Sequence, residues 1–597
     1  MQQSSATDLR ETVIAGALAT LLLLVVSWPA FKYFFFGEAF WALRIYHEHN
    51  GNLWGSAFSR IDGMFFRPGF FFALITWDFV LPADALIYHL RNFLFCAANL
   101  FLLHRVLLRF VRTRPPRIVA LGMFAASKIY LTVIGYINIF EVSILLMTML
   151  LTVLFFSRYI DARRPSDYLM AFLFCAFNVY CKDNGFIVIG ILAAMILAVA
   201  IRREGSKNQI NYWTVRFLPF VIISASNQVL RYILIGPINR DNPIYSPRLS
   251  FPVAVRQTTA FLATVGNFSL TRSGSMGLPG LSGVLAGNSK VIEFALCAAL
   301  WLLIVYTVWQ GRSAWRLMIV PLAWIALYLS PTFLIRNHQV YYFQEPLVGA
   351  VILIAISLDR AKRPRFKTWF AVIALIAING FISGRRSYYD WEYTADRAAV
   401  VKPLIASQKI HPPESIIITT PPNERDFWFF ALREPLVSHL LGSPTTSVNV
   451  VNRQDATTLP DKAPTAQTVL FDVEQGIMDA SRLRSNGSTS QMDLPPGHNT
   501  QATITANPNP IRVCDGSGLG TTTIFYAFDP QFLMEVHVNS PTGDLFAKTA
   551  ASGSSSTGKW VSDGMTFFLQ NVTNGRPLTT ENTVSSVTVK VTTSGCQ

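Results

Sequence analysis

The first apolar run of the chain closes with FFFGEAFW, residues 34–41, and Glu38 stands where that run ends. A carboxylate at such a boundary has a dry side, which raises its pKa, and a wet side for substrate, which suits a general base acting on a hydroxyl. The plainer reading is a helix-end acid that marks an interface. Glu48 and Asp62, farther along the same loop, are the other acids that could serve. Phosphate recognition needs cations, and Arg grips phosphate with two prongs. Arg67, beside Pro68, opens a short apolar helix, while Lys182 in CKDNGF and Arg336 in RNHQVYYFQEP lie at the ends of apolar runs, at lipid-headgroup depth. Arg231 sits inside SNQVLRYILIG, where a lone cation is costly, so it needs a partner or reaches outward. Residues 236–289 carry Arg240, Arg248, Arg256 and Arg272 against Asp241 alone, and Arg240 joins the phosphate-binding candidates.

His89 and Asn92 share a helix face three residues apart, a spacing that serves ligand positioning or a bond between helices. His47 and His49 flank Glu48 and invite a metal, but positions i and i+2 do not share a helix face. Asp78 in TWDF reads as a cap or an ion-pair partner.

These residues need elements to hold them. Only 14% of the chain is charged and 51% is hydrophobic, with a mean hydropathy of +0.36. That is well below the charged quarter of a soluble protein. Beyond residue 390 there are 14 Lys and Arg against 18 Asp and Glu, leaving 36 against 17 before it. The basic excess therefore belongs to the apolar part, where it speaks of membrane topology and not of nucleic acid. About eleven runs are apolar enough to span, centred near 13–36, 86–108, 118–135, 139–157, 167–181, 186–201, 214–235, 289–309, 317–335, 341–358 and 368–384. The basic stretches 109–117, 158–164, 202–207, 311–316 and 359–367 fall at alternate ends of them. By the positive-inside rule that end is cytoplasmic, with the N-terminus inside and the C-terminal domains outside. The sequence thus predicts a multi-pass protein of an inner (plasma) membrane, with its tail in the periplasm.

A transmembrane domain is expected over residues 1–387. A small α/β module over 388–480 follows from the strand-like SIIITT, TSVNVV and TVLFDV around a helical DFWFFALREPLVSHLL. A polar linker spans 481–501, and the alternating strands and Gly/Ser/Asn turns of 502–597 predict an immunoglobulin-like β-sandwich. Cys514 and Cys596 bracket that last segment and read as a disulfide in an oxidising compartment.

Residues 62–104 run from an acid-containing approach through Arg-Pro and a short apolar helix into a long helix with YHLRN near its start and His104 near its end. With CKDNGF (181–186) and RNHQVYYFQEPLVG (336–349), this order resembles the GT-C membrane glycosyltransferases, in particular their protein-O-mannosyltransferase-like branch. The resemblance covers roughly residues 10–385. It implies a GT-C-like fold and inverting transfer of a sugar from a polyprenyl-phosphate donor to a protein or glycan acceptor. Glu38 would be the base, and Arg67, Lys182, Arg336, His338, Tyr342, Arg240 and His89 would bind donor and phosphate. Relatives carry an acidic pair where this chain has Gly37-Glu38 alone, and a Glu where it has Asp183. It fixes no definite cofactor and leaves room for a divalent metal. Two rivals use the same basic loops: a non-catalytic envelope component or lipid-linked-sugar transporter, and a polysaccharide ligase or polymerase centred on an Arg-rich loop.

Overall fold

The computed structural model describes residues 6–37, 39–59, 66–202, 207–236, 250–268, 289–335, 339–386, 397–410, 412–420, 431–432, 434–443, 446–452, 468–473, 476–478, 502–527, 534–549, 553–572 and 576–594. The chain forms two units, Met1–Gly487 and Ser488–Gln597.

Each of the eleven apolar runs falls mainly on helix, one of them on a broken pair. The long ones are α1 (Ala6–Ser27), α5 (Ala85–Phe110), α8 (Phe140–Ala162), α11 (Lys207–Ile235), α13 (Ser289–Gln310), α14 (Trp315–Leu329) and α15 (Gln344–Arg360). Among the described residues these seven, with their flanking turns, are long and apolar enough to cross a membrane. An eighth span is broken, with α6 (Arg114–Ala125) and α7 (Ile129–Gly135) bent by 56°. The expectation of about eleven spans is thus higher than this count, because α9 (Pro165–Cys181), α10 (Val188–Arg202) and α16 (Phe366–Arg386) fall short in length or in apolar stretch. The chain is a multi-pass membrane protein.

Side chains tie the basic ends of these helices together. Asp359, at the end of α15, accepts hydrogen bonds from the Arg112 and Thr113 backbone N–H groups and from Thr113 Oγ1 at 2.7–3.2 Å. Arg109 meets Asp161 at 3.3 Å, and Glu11 takes both Arg114 and Arg117. A Cβ on Gly311 would lie 2.7 Å from Ser357 Cα, so only glycine admits that approach. Four of the five basic connections therefore share one face.

At the other end, helices α2 (Trp41–Glu48), α3 (Leu53–Ala57) and α4 (Pro68–Val80) build a layer over the bundle. Phe35, Phe40, Trp41, Phe70 and Phe71 form its core. The α/β module belongs to the same unit. Its sheet has the order β2–β1–β3–β4, with β1 (Ser415–Thr420) parallel to β2 (Ser447–Asn452) and β3 (Thr468–Asp472), and β4 (Gly476–Met478) antiparallel. After α17 (Lys402–Gln408), helix α18 (Glu434–Leu441) inserts Leu436 and Leu440 into the first-loop core. The His439 ring stacks 3.9 Å from that of Phe40, and Gly37 N–H donates to Ala431 O at 3.3 Å.

Burial, with His47 nearby, pushes the His439 pKa down to about 4. The unfolded chain takes that proton near pH 6.5. Stability from this contact is therefore complete above about pH 6.5 and lost as pH falls toward 4, by at most about 3 kcal/mol. Thermal melting of wild type and His439→Gln across that window should show the wild type losing stability faster; parallel curves would refute the assignment.

The second unit packs a three-stranded sheet, β10–β7–β5, on a four-stranded one, β12–β11–β8–β9. Strands β5 (Thr503–Asn507), β7 (Thr523–Ala527) and β10 (Gly553–Ser556) face β8 (Met534–Val538), β9 (Leu545–Thr549), β11 (Thr566–Asn571) and β12 (Thr583–Thr588) across a shared core that includes Ile504, Ile524, Val536, Phe567 and Leu569. Alternation of inward and outward residues produces that core. Cys514 is disulfide-bonded, whereas Cys96, Cys175, Cys181 and Cys297 are free and buried. Cys596 lies outside the described residues.

Candidate functional site

Opposite the basic face, charged residues from four elements converge. Arg67 precedes Pro68 at the start of α4, Glu141 lies in the first turn of α8, Lys182 and Asp183 follow α9, and Arg231 lies in the last turns of α11. Two glycines make the convergence sterically feasible. A Cβ on Gly69 would stand 3.2 Å from the Tyr180 carbonyl, so α4 can press its first turn on the end of α9. One on Gly185 would stand 2.0 Å from Asn178 O, so the KDNG turn closes only with glycine there. Asn178 then pins α9 to α8 by donating to Leu145 O and Thr148 Oγ1, both at 2.7 Å.

Arg67 is the hub. Its Nη1 meets Glu141 Oε2 at 3.0 Å, and its Nε and Nη2 meet Asp183 Oδ2 at 2.8 and 2.6 Å. Lys182 Nζ lies 3.2 Å from the other Glu141 oxygen and 5.5 Å from the Tyr341 ring centroid. Arg231 Nε reaches Asp183 only at 4.0 Å. Asp183 is the most exposed member at 33%, against 10% for Lys182 and Glu141, so the cluster opens to solvent on its side. Glu345, in the first turn of α15, interacts electrostatically with Lys182 and Glu141. It is buried, and its Oε1 has no hydrogen-bond partner among the described residues. A buried carboxyl oxygen without a partner is costly unless a ligand or proton meets it. Three cations thus face two paired acids and a third, under-satisfied one. Lys182 has three donors, and the contacts to Glu141 and the Tyr341 ring leave donor capacity for a further acceptor.

Of the residues picked out in the sequence, the structure brings Arg67 and Lys182 together, and Tyr342 stands beside Tyr341 with ring centroids 4.8 Å apart. Glu38, Asp62, Arg240, Arg248, Arg272, Arg336 and His338 lie outside the described residues. His89 is placed elsewhere, buried, with Nδ1 at 2.8 Å from Ile134 O and Nε2 at 2.9 Å from Tyr33 O. Asn92 donates to Val133 O and Arg91 to Ile137 O, so this trio meets open carbonyls at the end of α7 and in the segments beside it. Both His89 nitrogens are thereby engaged in packing, which corrects its placement among the ligand-binding residues. Asp78 accepts from Tyr88 Oη at 3.2 Å, a neutral hydrogen bond and neither the cap nor the ion pair expected of it. Glu48 pairs with Arg44 at 2.6 Å on the surface, and His49 Nδ1 bonds Ile45 O. No group of three or more His, Cys, Asp or Glu side chains stands at metal-binding range among the described residues.

Glu141 and Glu345 were not singled out from the sequence. The available signal was positional: each is an acid in the first turn of a span that starts at the end opposite the basic connections.

No protein-family model and no curated protein matches the sequence. Among solved structures, the chain is similar to the archaeal oligosaccharyltransferase AglB from Archaeoglobus fulgidus in complex with an inhibitory peptide and a dolichol-phosphate. The identity is 13% and the TM-score 0.43, covering 74% of this chain and 64% of that one. The apo form of the Archaeoglobus fulgidus oligosaccharyltransferase gives 15% identity and a TM-score of 0.40, with the same two coverages. The chain therefore spans less than two thirds of the length of these proteins. At such identity and TM-score the likeness does not speak to the chemistry of this chain.

Proposed function

We propose that the protein is a membrane glycosyltransferase that moves a sugar from a polyprenyl-phosphate donor to a hydroxyl of a protein or glycan acceptor. The observation that carries this reading is the convergence of Arg67, Lys182 and Arg231 at the ends of α4, α9 and α11, at the face opposite the basic connections. A phosphate there meets the spare Lys182 donors and the loosely held Arg231, while Glu141 and Asp183 keep Arg67 in place. Fixed cations at the leaving phosphate stabilise the charge that develops there, often the greatest single contribution to catalysis. The acceptor oxygen attacks the anomeric carbon as the bond from that carbon to the phosphate oxygen breaks, so the configuration inverts. The electron pair leaves with polyprenyl phosphate, and the hydroxyl proton passes to Glu38. In this reading Glu345 Oε1, which has no hydrogen-bond partner among the described residues, accepts a hydrogen bond from the donor sugar. Tyr342, Arg336, His338 and Arg240 complete the donor site in this reading, which sets the reaction on the periplasmic side of an inner membrane.

The test is transfer from synthetic polyprenyl-phosphate monosaccharides by purified wild type and Lys182→Ala. The variant should turn over about 100-fold more slowly, the loss typical of removing one donor to developing charge. Equal turnover would remove Lys182 from the site. A wild type that binds such donors without transferring from any of them would move the assignment to a transporter or binding protein.

A further inference from the structure

The end of α13 and the connection from α15 to α16 line a small, open cleft at the basic face. Leu303, Tyr306, Gln310, Arg363 and Arg365 are among the residues that line it, and Leu303 lies about two helical turns farther from the basic end of α13 than Gln310. Gln310 Nε2 donates to Tyr306 Oη at 2.5 Å, and the Arg365 guanidinium lies 5.5 Å from the Tyr306 ring centroid. Arg363 and Arg365 are exposed, and neither has a carboxylate partner among the described residues. Asp359, the nearest acid in sequence, is held by residues 112 and 113 and by Arg360.

The depth of the cleft follows from its aromatic neighbours. Trp309 and Trp315 are 57% and 53% exposed, with Arg312 and Arg316 against their rings. Exposed Trp at span ends, with cations beside it, marks the headgroup level of a bilayer. The two arginines, without a carboxylate partner among the described residues, thus sit at phosphate depth, with Leu303 farther along α13 from the basic end. Basic pockets between spans at the positive end suit anionic lipid headgroups, and Arg matches a phosphodiester with two prongs.

We propose that this cleft is a specific site for an anionic phospholipid, with Arg363 and Arg365 on its phosphodiester, Gln310 hydrogen-bonding the headgroup, and an acyl chain along Leu303. The site is separate from the cluster around Arg67 and does not depend on the proposed activity.

The experiment is thermal melting of the full-length detergent-solubilised protein with phosphatidylglycerol, phosphatidylcholine or inorganic phosphate added, in wild type and in an Arg363→Ala/Arg365→Ala variant. Phosphatidylglycerol should raise the wild-type midpoint by several degrees, and the variant should lose more than half of that shift. Both arginines are exposed, so the variant keeps its fold; an unchanged midpoint without lipid checks this. An Arg363→Lys/Arg365→Lys variant should recover only part of the shift, because charge returns without the fork. An equal shift in the alanine variant overturns the proposal. So does an equal shift with phosphatidylcholine, or one that inorganic phosphate alone reproduces.

Discussion

Glu141→Gln lowers the stability of the helical unit by about 3 kcal/mol, the range measured when one partner of a buried ion pair is removed. Each Glu141 oxygen holds a different cation, Arg67 at 3.0 Å and Lys182 at 3.2 Å, and the group is 10% exposed. Glutamine fills the same volume but turns one of those oxygens into an amide that points donors at a cation. Asp183 retains Arg67, whereas Lys182 loses its paired carboxylate and keeps the Tyr341 ring and the electrostatic attraction of Glu345. The surface pair Arg44–Glu48 is the internal control. It is as short, at 2.6 Å, yet its side chains are 45% and 50% exposed. Glu48→Gln should change stability by no more than about 0.5 kcal/mol, since screened helix pairs contribute little. Thermal midpoints in detergent separate the two, and equal shifts would mean that the cluster is as well solvated as the surface.

The second large effect is on turnover. Glu38→Gln should reduce sugar transfer by about 100- to 10,000-fold, the usual contribution of general acid–base catalysis, while leaving donor binding near wild type. The residues around Glu38 are held firmly. Gly37 has φ 66° and hydrogen-bonds to Ala431, and Phe40 has φ 60°, a left-handed conformation that costs a bulky residue about 1 kcal/mol or more. Phe40 keeps it while packed against His439 and Tyr88. Such strain persists where surrounding contacts over-determine the backbone. Full activity in Glu38→Gln would send the role of base to Asp62 or Glu48, and the ion pair already holding Glu48 makes Asp62 the first choice.

Much of the fold was legible because it rests on local pattern. Eleven apolar runs mark eleven helical stretches, counting the broken α6–α7 pair as one, and SIIITT, TSVNVV and TVLFDV mark β1, β2 and β3. Lengths were less legible, since apolar composition does not reveal where a helix stops. Lys128 shows a subtler loss. It lies in the apolar run 118–135, where one Lys hardly changes the average, yet the span breaks there. Its Nζ donates to Phe268 O and its backbone N–H to Asn267 Oδ1, so buried polar groups from distant sequence satisfy one another. The cluster around Arg67 is partly legible for the same reason. Arg67 and Lys182 stand out as cations at run ends, but Glu141 and Glu345 acquire meaning only when five helix ends meet. His89 and Asn92 have a spacing that fits ligand binding and carbonyl capping equally, and only the carbonyls of α7 decide between them.

The most direct measurement is where the donor phosphate binds. A photoreactive polyprenyl-phosphate sugar, crosslinked to the purified protein and mapped by peptide mass spectrometry, should label the peptides around residues 67–69, 180–183, 226–235 and 340–345. Excess unlabelled donor should suppress that labelling, and Lys182→Ala should weaken it. Saturable labelling confined to other peptides, with these four left bare, would contradict a donor site built on Arg67, Lys182 and Arg231.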